Sequence, residues 1–224
     1  VCSSDLTGFR HDLDALSEYC RSRGVALFVD GIQGVGPHVI DVRRTPIDFL
    51  AADGHKWLLG PEGAGFLYLR RDWIDRIRPI GVGWHSVVGS YNAAEPEFLL
   101  KPTASRWEGG SFNMPGLLAF GASVGLFHEI GPELVSARIL DRADRVRELA
   151  RGLGWSIFGP TRGEEQSAIV ALEKPGVDPA RATRALRDRG VVVSNRRGRL
   201  RISPHMYNDD SDLDRLRDAL SQAG

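Results

Sequence analysis

The chain has 224 residues, with 29 basic and 29 acidic side chains, so its formal net charge is zero and its pI lies near 7.2. A neutral chain has no general attraction for nucleic acid or an anionic membrane, and no apolar run approaches the roughly 20 residues needed to span a bilayer. The two cysteines, Cys2 and Cys20, show neither metal-ligand spacing nor a disulfide-framework pattern, so a soluble cytoplasmic protein without a metal site is expected.

In chain order, Leu13, Leu16, Tyr19 and Cys20 recur at helical spacing between Asp12 and Arg23, and Gly24 follows as a stop. The apolar run Val25 to Val29 predicts a strand buried on both faces, as in a parallel sheet. Residues 47–52 and 65–69 predict two more strands, separated by a loop from Asp53 to Ala64. Gly81 to Ser105 has no period and reads as a long functional connection, in which Trp84 and His85 are candidates to line a substrate pocket. Helices are predicted over 115–130 and 133–152, with Gly131-Pro132 between them. The remainder reads as strand 167–172, helix 179–189, strands 191–194 and 200–203, and helix 213–223.

This order predicts an α/β chain in two parts. Residues 1–131 form part of a large domain with a mostly parallel sheet, and residues 132–224 a smaller α+β domain, with the boundary inside a helical connection. No internal repeat or low-complexity segment interrupts it.

Only three of the 29 basic residues are lysines, namely Lys56, Lys101 and Lys174; the other 26 are arginines. Arginine cannot take over where an amine must lose its proton and attack a carbonyl, because guanidinium stays protonated. Lys101 and Lys174 each precede a proline and read as exposed loop residues. Lys56 follows a predicted strand, where the open end of an α/β sheet places ligands, and a lysine there can form a Schiff base. Asp30 ends an earlier strand and can face the same crevice, although Asp30-Gly31 alone reads better as a turn.

The run Phe28-Val29-Asp30-Gly31-Ile32-Gln33-Gly34-Val35-Gly36, then Ile47-Asp48-Phe49, then Gly54-His55-Lys56-Trp57 with Gly60-Pro61-Glu62-Gly63-Ala64-Gly65, resembles the class V aminotransferases. These are pyridoxal-phosphate (PLP) enzymes of fold type I, whose relatives include cysteine desulfurases and isopenicillin N epimerase. The likeness continues through Arg106-Trp107-Glu108-Gly109-Gly110-Ser111 and Arg201-Ile202-Ser203-Pro204-His205-Met206-Tyr207-Asn208, and runs from Thr7 to the C-terminus. It implies that Lys56 is the catalytic lysine carrying PLP. Asp30 would face the pyridine nitrogen, where a carboxylate keeps that nitrogen protonated. Gln33 would donate to the phenolic oxygen, His55 would lie near the phosphate, and Ser111 would contact the phosphate held by the other subunit of a homodimer. Arg201 would hold the substrate's α-carboxylate through two parallel hydrogen bonds.

Two departures matter. Asp53 stands where desulfurases tend to have a phosphate-binding serine, so it is expected to point away from the phosphate. The segment Ser194 to Arg199 is short and lacks the nucleophilic cysteine that desulfurases carry there, so persulfide chemistry is not expected. Gly60 to Gly65 lacks the ending of a phosphate loop and is read as tight packing about the lysine loop. Arg196, Arg197 and Arg199 have no aromatic platform for nucleic acid and read as a solvated hairpin, at a pocket mouth.

The resemblance implies an enzyme that forms an external aldimine with an amino acid, most readily for transamination. The alternatives are a C–S lyase or epimerase on the same scaffold, or a non-catalytic fragment that keeps the fold. The chain also reads as a C-terminal fragment. Val1 to Leu6 is what one frame of a common sequencing-adapter oligonucleotide encodes, and the ring-stacking and phosphate-turn residues of the family are expected upstream.

Overall fold

The structure is a computed structural model and describes residues 4–91, 97–160 and 162–223. Half of the segment expected to be foreign, residues 1–3, including Cys2, lies outside the described residues. Helix α1 (Leu13–Ser22) starts where the Asp12 carboxylate accepts the Ala15 amide at 3.0 Å. Past its end the Val25 amide still binds the Cys20 carbonyl, and Val25 is 55% exposed. The expected strand over 25–29, buried on both faces, is therefore corrected. Strand β1 covers only Phe28–Asp30, Val29 alone enters the core, and Phe28 is 57% exposed on a strand with a single neighbour.

Strand β2 (Phe49–Asp53) runs parallel to β1, with Asp30 opposite Ala51. Strand β3 (Gly65–Leu69) returns antiparallel to β2, because a loop rather than a helical crossover joins them. Asp48 locks this sheet from beneath. Its buried carboxylate accepts the Leu27 amide and the Trp73 indole, both at 2.7 Å, and pairs with Arg70 at 2.9 Å.

The long connection carries short 3-10 turns at Trp84–Ser86 and Ala104–Trp107, joined by a bridge between Val87 and Leu100; residues 92–96 of it lie outside the described residues. Arg106 is buried and holds the segment down. Its guanidinium donates to the Lys101 and Ile74 carbonyls and to Asp75.

Helix α2 (Met114–Ile130) is capped by the Asn113 side chain, and Gly131, at φ +98°, turns the chain into α3 (Pro132–Gly152). Helix α3 serves two cores. Val135 and Ile139 pack with Trp57, Phe120 and Phe127, whereas Ala143, Val146 and Ala150 pack with Leu172, Leu200 and Leu220.

The second sheet contains β4 (Ser156–Phe158), β5 (Val170–Glu173), β6 (Ser194–Arg196) and β7 (Arg199–Ile202), in the order β4-β5-β7-β6 and antiparallel throughout. Helices α4 (Pro179–Arg187) and α5 (Asp210–Ala223) cover it with α3. Strand β4 was not expected from the sequence. Two expected strands start three residues later and end past their expected bounds: 167–169 is drawn away by the bond from the Ser167 amide to Gly8, and 191–193 by the bond from the Val191 amide to Leu186. Helix α5 starts three residues earlier than predicted, because the Asp209 carboxylate accepts the Asp212 amide at 3.0 Å.

Candidate active site

The loop that carries Lys56 begins at the carboxyl end of β2 and is clamped at both ends. The Gly54 amide binds the Ala64 carbonyl at 2.7 Å, and the Gly60 amide binds Gly54 at 2.8 Å. A side chain at Gly54 would put Cβ 2.7 Å from the Phe120 ring, so the loop lies directly on α2 only because glycine stands there. This is the tight packing expected of the glycine-rich stretch. Leu59, at φ +56°, bends the loop back. Lys56 itself is exposed at the loop's crest.

Trp57, next to it, is 5% exposed and joins three parts of the chain. Its indole N–H donates to the Gln33 Oε1 at 2.9 Å. Its carbonyl accepts from His205 Nε2 at 3.0 Å, and the two rings stack with centroids 5.6 Å apart. Gly36, at φ +108°, lies so close that a Cβ there would meet the Trp57 carbonyl at 3.0 Å. The Met206 amide donates to His205 Nδ1 at 2.9 Å, so Nδ1 is the acceptor and Nε2 carries the proton. His205 is thus held neutral. Burial lowers its pKa, and the bond to Trp57 only partly opposes that. Because Gln33 accepts through Oε1, its Nε2 is the end left to donate.

These contacts close a cavity of about 280 Å³, lined by Gln33, Lys56, Trp57, Arg196, Arg201 and His205, with Asp5 and Tyr207 also at its wall. Among the predicted site residues, the structure brings Gln33, Lys56 and Arg201 to this one space. Arg201, on β7, has no carboxylate within 4.0 Å of its guanidinium among the described residues, and its Nε is buried without a partner. Burial pushes its pKa below the ordinary arginine value; Asp5 opposes that shift and Arg196 adds to it.

The other predicted residues lie elsewhere. Asp30 ends β1 on an open sheet face that it lines with Phe28, Asp53, Phe66 and Leu67, and its carboxylate accepts the Ile32 amide at 3.0 Å. Asp53 also points to that face, 3.6 Å from His55 Nδ1, a separation too long for a hydrogen bond. Ser111 is exposed in the loop before α2 and does not line the Lys56 cavity. The expectation for Trp84 and His85 is corrected as well. They do not line that cavity but cluster with Tyr91 and Phe112, because the 3-10 turn at Trp84–Ser86 brings the two rings together, tilted, with centroids 3.8 Å apart. Lys101 and Lys174 are half-buried rather than exposed. The Lys174 amine is engaged, donating to the Leu153 carbonyl at 3.0 Å.

Sequence reasoning missed Trp57 and His205 as parts of this wall, whereas Arg196 was expected in a hairpin at a pocket mouth. His205 and Trp57 are 148 positions apart, so no local pattern could pair them. The only available signal was that both fall inside family motifs.

The cavity can hold a carboxylate at Arg201 beside an amine at Lys56, and Gln33 offers a donor to a ring oxygen. These residues fit PLP and an amino acid. The family described as aminotransferase class-V matches residues 2–216, starting five residues before Thr7. Isopenicillin N epimerase of Streptomyces clavuligerus is 34% identical over 92% of this chain and 54% of its own. The apo structure of a cysteine desulfurase from Thermococcus onnurineus superposes with a TM-score of 0.89 at 23% identity, covering 98% of this chain and 57% of that one. A cystine C–S lyase variant with glycine covalently linked to its PLP cofactor gives a TM-score of 0.87 at 24% identity, covering 98% and 58%. The chain spans about half the length of the curated relatives it matches. Its α/β architecture is that of the fold type I PLP enzymes, its cofactor is pyridoxal 5′-phosphate, and the chain belongs to the class V aminotransferase family.

Proposed function

We propose that the protein acts on the Cα of an amino acid, with Lys56 as the residue that carries PLP and moves the proton. The observation that carries this reading is the meeting of Lys56, Gln33 and unpaired Arg201 in one cavity. Arg201 binds the α-carboxylate through its planar fork and so sets which Cα bond faces the cofactor. Bound PLP supplies the electron sink. Lys56 Nζ takes the Cα proton and returns it. Gln33, held by the Trp57 indole, donates through Nε2 to the cofactor's ring oxygen, and Asp30 and His55, at the ends of β1 and β2, are its remaining candidate contacts from this chain.

Transamination is the outcome we favour, because one mobile base suffices for it. Epimerisation needs a second proton donor on the opposite face, and His205, with both ring nitrogens engaged, does not supply one. The 34% identical epimerase supports a second reading, in which Tyr207, 67% exposed at the cavity wall, is that donor. A C–S lyase remains a third outcome. Persulfide chemistry is not part of the proposal, since the segment 194–199 is an arginine hairpin.

We also propose that the working protein is a cytoplasmic homodimer, with Ser111 reaching the partner's phosphate. Among the described residues no helix is long and apolar enough to cross a membrane. Helix α2 is apolar around its whole circumference, yet Leu118 is 70% exposed and Val124 and Leu126 over 40%, as expected of a face that a partner covers.

Borohydride reduction of the full-length protein with PLP, followed by peptide mapping, is expected to label Lys56. A label on Lys101 or Lys174 would overturn the reading. Incubation with a panel of amino acids, tracking keto acid, D-amino acid, ammonia and sulfide, then separates the three outcomes.

A further inference from the structure

The hairpin of β6 and β7 sets Ser194 opposite Arg201 and Arg196 opposite Arg199. Residues paired across two antiparallel strands, and those two apart along each strand, share one face of the sheet. Three guanidinium groups, from Arg196, Arg199 and Arg201, therefore rise on the same face of one short hairpin. Like charges so placed repel one another unless anions lie among them.

One of the three is accounted for. Arg199 pairs with Glu173 at 3.0 Å and stacks over the Phe158 ring at 3.4 Å. Arg196 and Arg201 have no carboxylate within 4.0 Å among the described residues, and both line the Lys56 cavity. The charged side chains of that wall are three cations, Lys56, Arg196 and Arg201, against one carboxylate, Asp5. An amino acid whose α-carboxylate occupies Arg201 would leave Arg196 facing the same space without a counter-charge. A substrate with a second anionic group would supply it.

We propose that Arg196 is a specificity-determining residue and that the substrate is an amino acid with an anionic side chain, its α-carboxylate on Arg201 and its distal acid on Arg196. This rests on the reading of Arg201 as the carboxylate site. It assigns chemistry to a hairpin that otherwise has only a solvated-surface role, and to one whose tip, Arg197-Gly198, is a two-residue turn with both residues at positive φ. Such turns hold register tightly, so the position of Arg196 relative to Arg201 is set by the backbone rather than by loop sampling.

The test uses two probes of equal length that differ in one carboxylate, glutarate and pentanoate, titrated calorimetrically into the full-length protein with PLP bound, at low ionic strength. Glutarate is expected to bind about fivefold or more tightly than pentanoate, the scale of one added, partly exposed charge pair. Arg196→Gln should erase that advantage and leave pentanoate binding within about twofold, whereas Arg201→Gln should weaken both acids. Arg196→Glu should reverse the preference, so that 5-aminopentanoate binds better than pentanoate. Arg196 is exposed, so these variants keep the core intact, and a thermal melt checks this.

Equal binding of glutarate and pentanoate, or a glutarate advantage that survives Arg196→Gln, overturns the inference and leaves Arg201 as the carboxylate site. Failure of both acids to bind, with Arg201→Gln without effect, overturns the carboxylate site itself and the inference with it. Equal binding by the wild-type protein overturns the inference by itself, even where a variant fails to fold.

Discussion

Around the second sheet Leu172, Leu186, Leu200 and Leu220 are all fully buried, whereas on the first sheet Phe28, Phe66 and Leu67 keep between 37% and 57% exposure. The difference follows from cover. Helices α3, α4 and α5 close one side of the four-stranded sheet, but β1 and β3 of the three-stranded sheet each have a single neighbour and present an open apolar face. Lys56 belongs to the open half. What holds its loop comes largely from later in the chain: His205 on the Trp57 carbonyl, and Phe120, Phe127 and Val135 beneath the loop. The site thus sits at a seam where the well-packed half positions the chemistry of the open one, and Arg201 reaches it from a strand whose neighbours Leu200 and Ile202 are buried in the closed core.

The sharpest test of this contrast is a pair of truncations. Leu200→Ala should cost about 4 kcal/mol, within the range for a leucine lost from a packed core, while Leu67→Ser should cost no more than about 0.5 kcal/mol. Urea unfolding of the two variants measures both. Equal costs would mean that the first sheet is as closed as the second, and the contrast would break. Leu200→Ala should also weaken pentanoate binding, because its backbone sets where Arg201 points.

Acid should sharpen the same comparison. His38, in the open half, is buried and its Nε2 has no partner among the described residues; burial first, and the charge of Arg10 second, lower its pKa from 6.5 to about 4. A histidine kept neutral by folding stabilises the fold fully above pH 6.5, and that stability is lost as pH falls toward 4. Linkage gives a loss of about 2 kcal/mol between pH 8 and pH 5. His205 is shifted in the same direction and adds to it. Urea midpoints at the two pH values, for the native chain and for His38→Gln, measure the effect. A pH dependence unchanged in the variant would remove His38 as its cause. Amide exchange should quicken around Gly34 and His38 before it does around Leu200.

How much of this was legible in the sequence depended on the range of each interaction. Helices α2 and α3 and their break at Gly131 could be read almost to the residue, because caps and proline are local signals. Lys56, Gln33 and Arg201 were legible as motif residues, and the structure places all three at one cavity. Strand β4 is three residues long and only half-buried, too short to show a period. The strand expected over 25–29 failed because an apolar run signals burial only if something covers it, and Val25 and Phe28 lie uncovered. The cavity wall made by Trp57 and His205 was beyond any local pattern. The arginine hairpin was read at a pocket mouth, but which of its arginines faces the cavity depends on the hairpin register.

A smaller effect is expected at the seam itself. Arg201→Lys keeps the charge but loses the planar fork, so KM for the amino acid should rise about tenfold with PLP binding little changed. Steady-state kinetics of the full-length protein, set beside a PLP titration, check it. An unchanged KM would mean that the closed half contributes no substrate contact at this residue.

The smallest effect concerns the hairpin tip, and it is a gain. Arg197 and Gly198 sit at φ +47° and +77°, the conformation of a two-residue turn that favours asparagine followed by glycine. Arginine carries a Cβ penalty in that left-handed region that asparagine largely avoids. Its guanidinium compensates little, since no carboxylate lies within 4.0 Å of it among the described residues. Arg197→Asn should therefore stabilise the chain by about 0.5 kcal/mol, seen as a small rise in urea midpoint with an unchanged slope. The substitution also removes a positive charge next to Arg196 without touching the cavity. If the glutarate advantage belongs to Arg196, it should survive Arg197→Asn almost intact. If it comes instead from the summed charge of the hairpin, it should fall in Arg197→Asn about as far as in Arg196→Gln. Titration of the two variants side by side thus separates a positioned contact from a diffuse field.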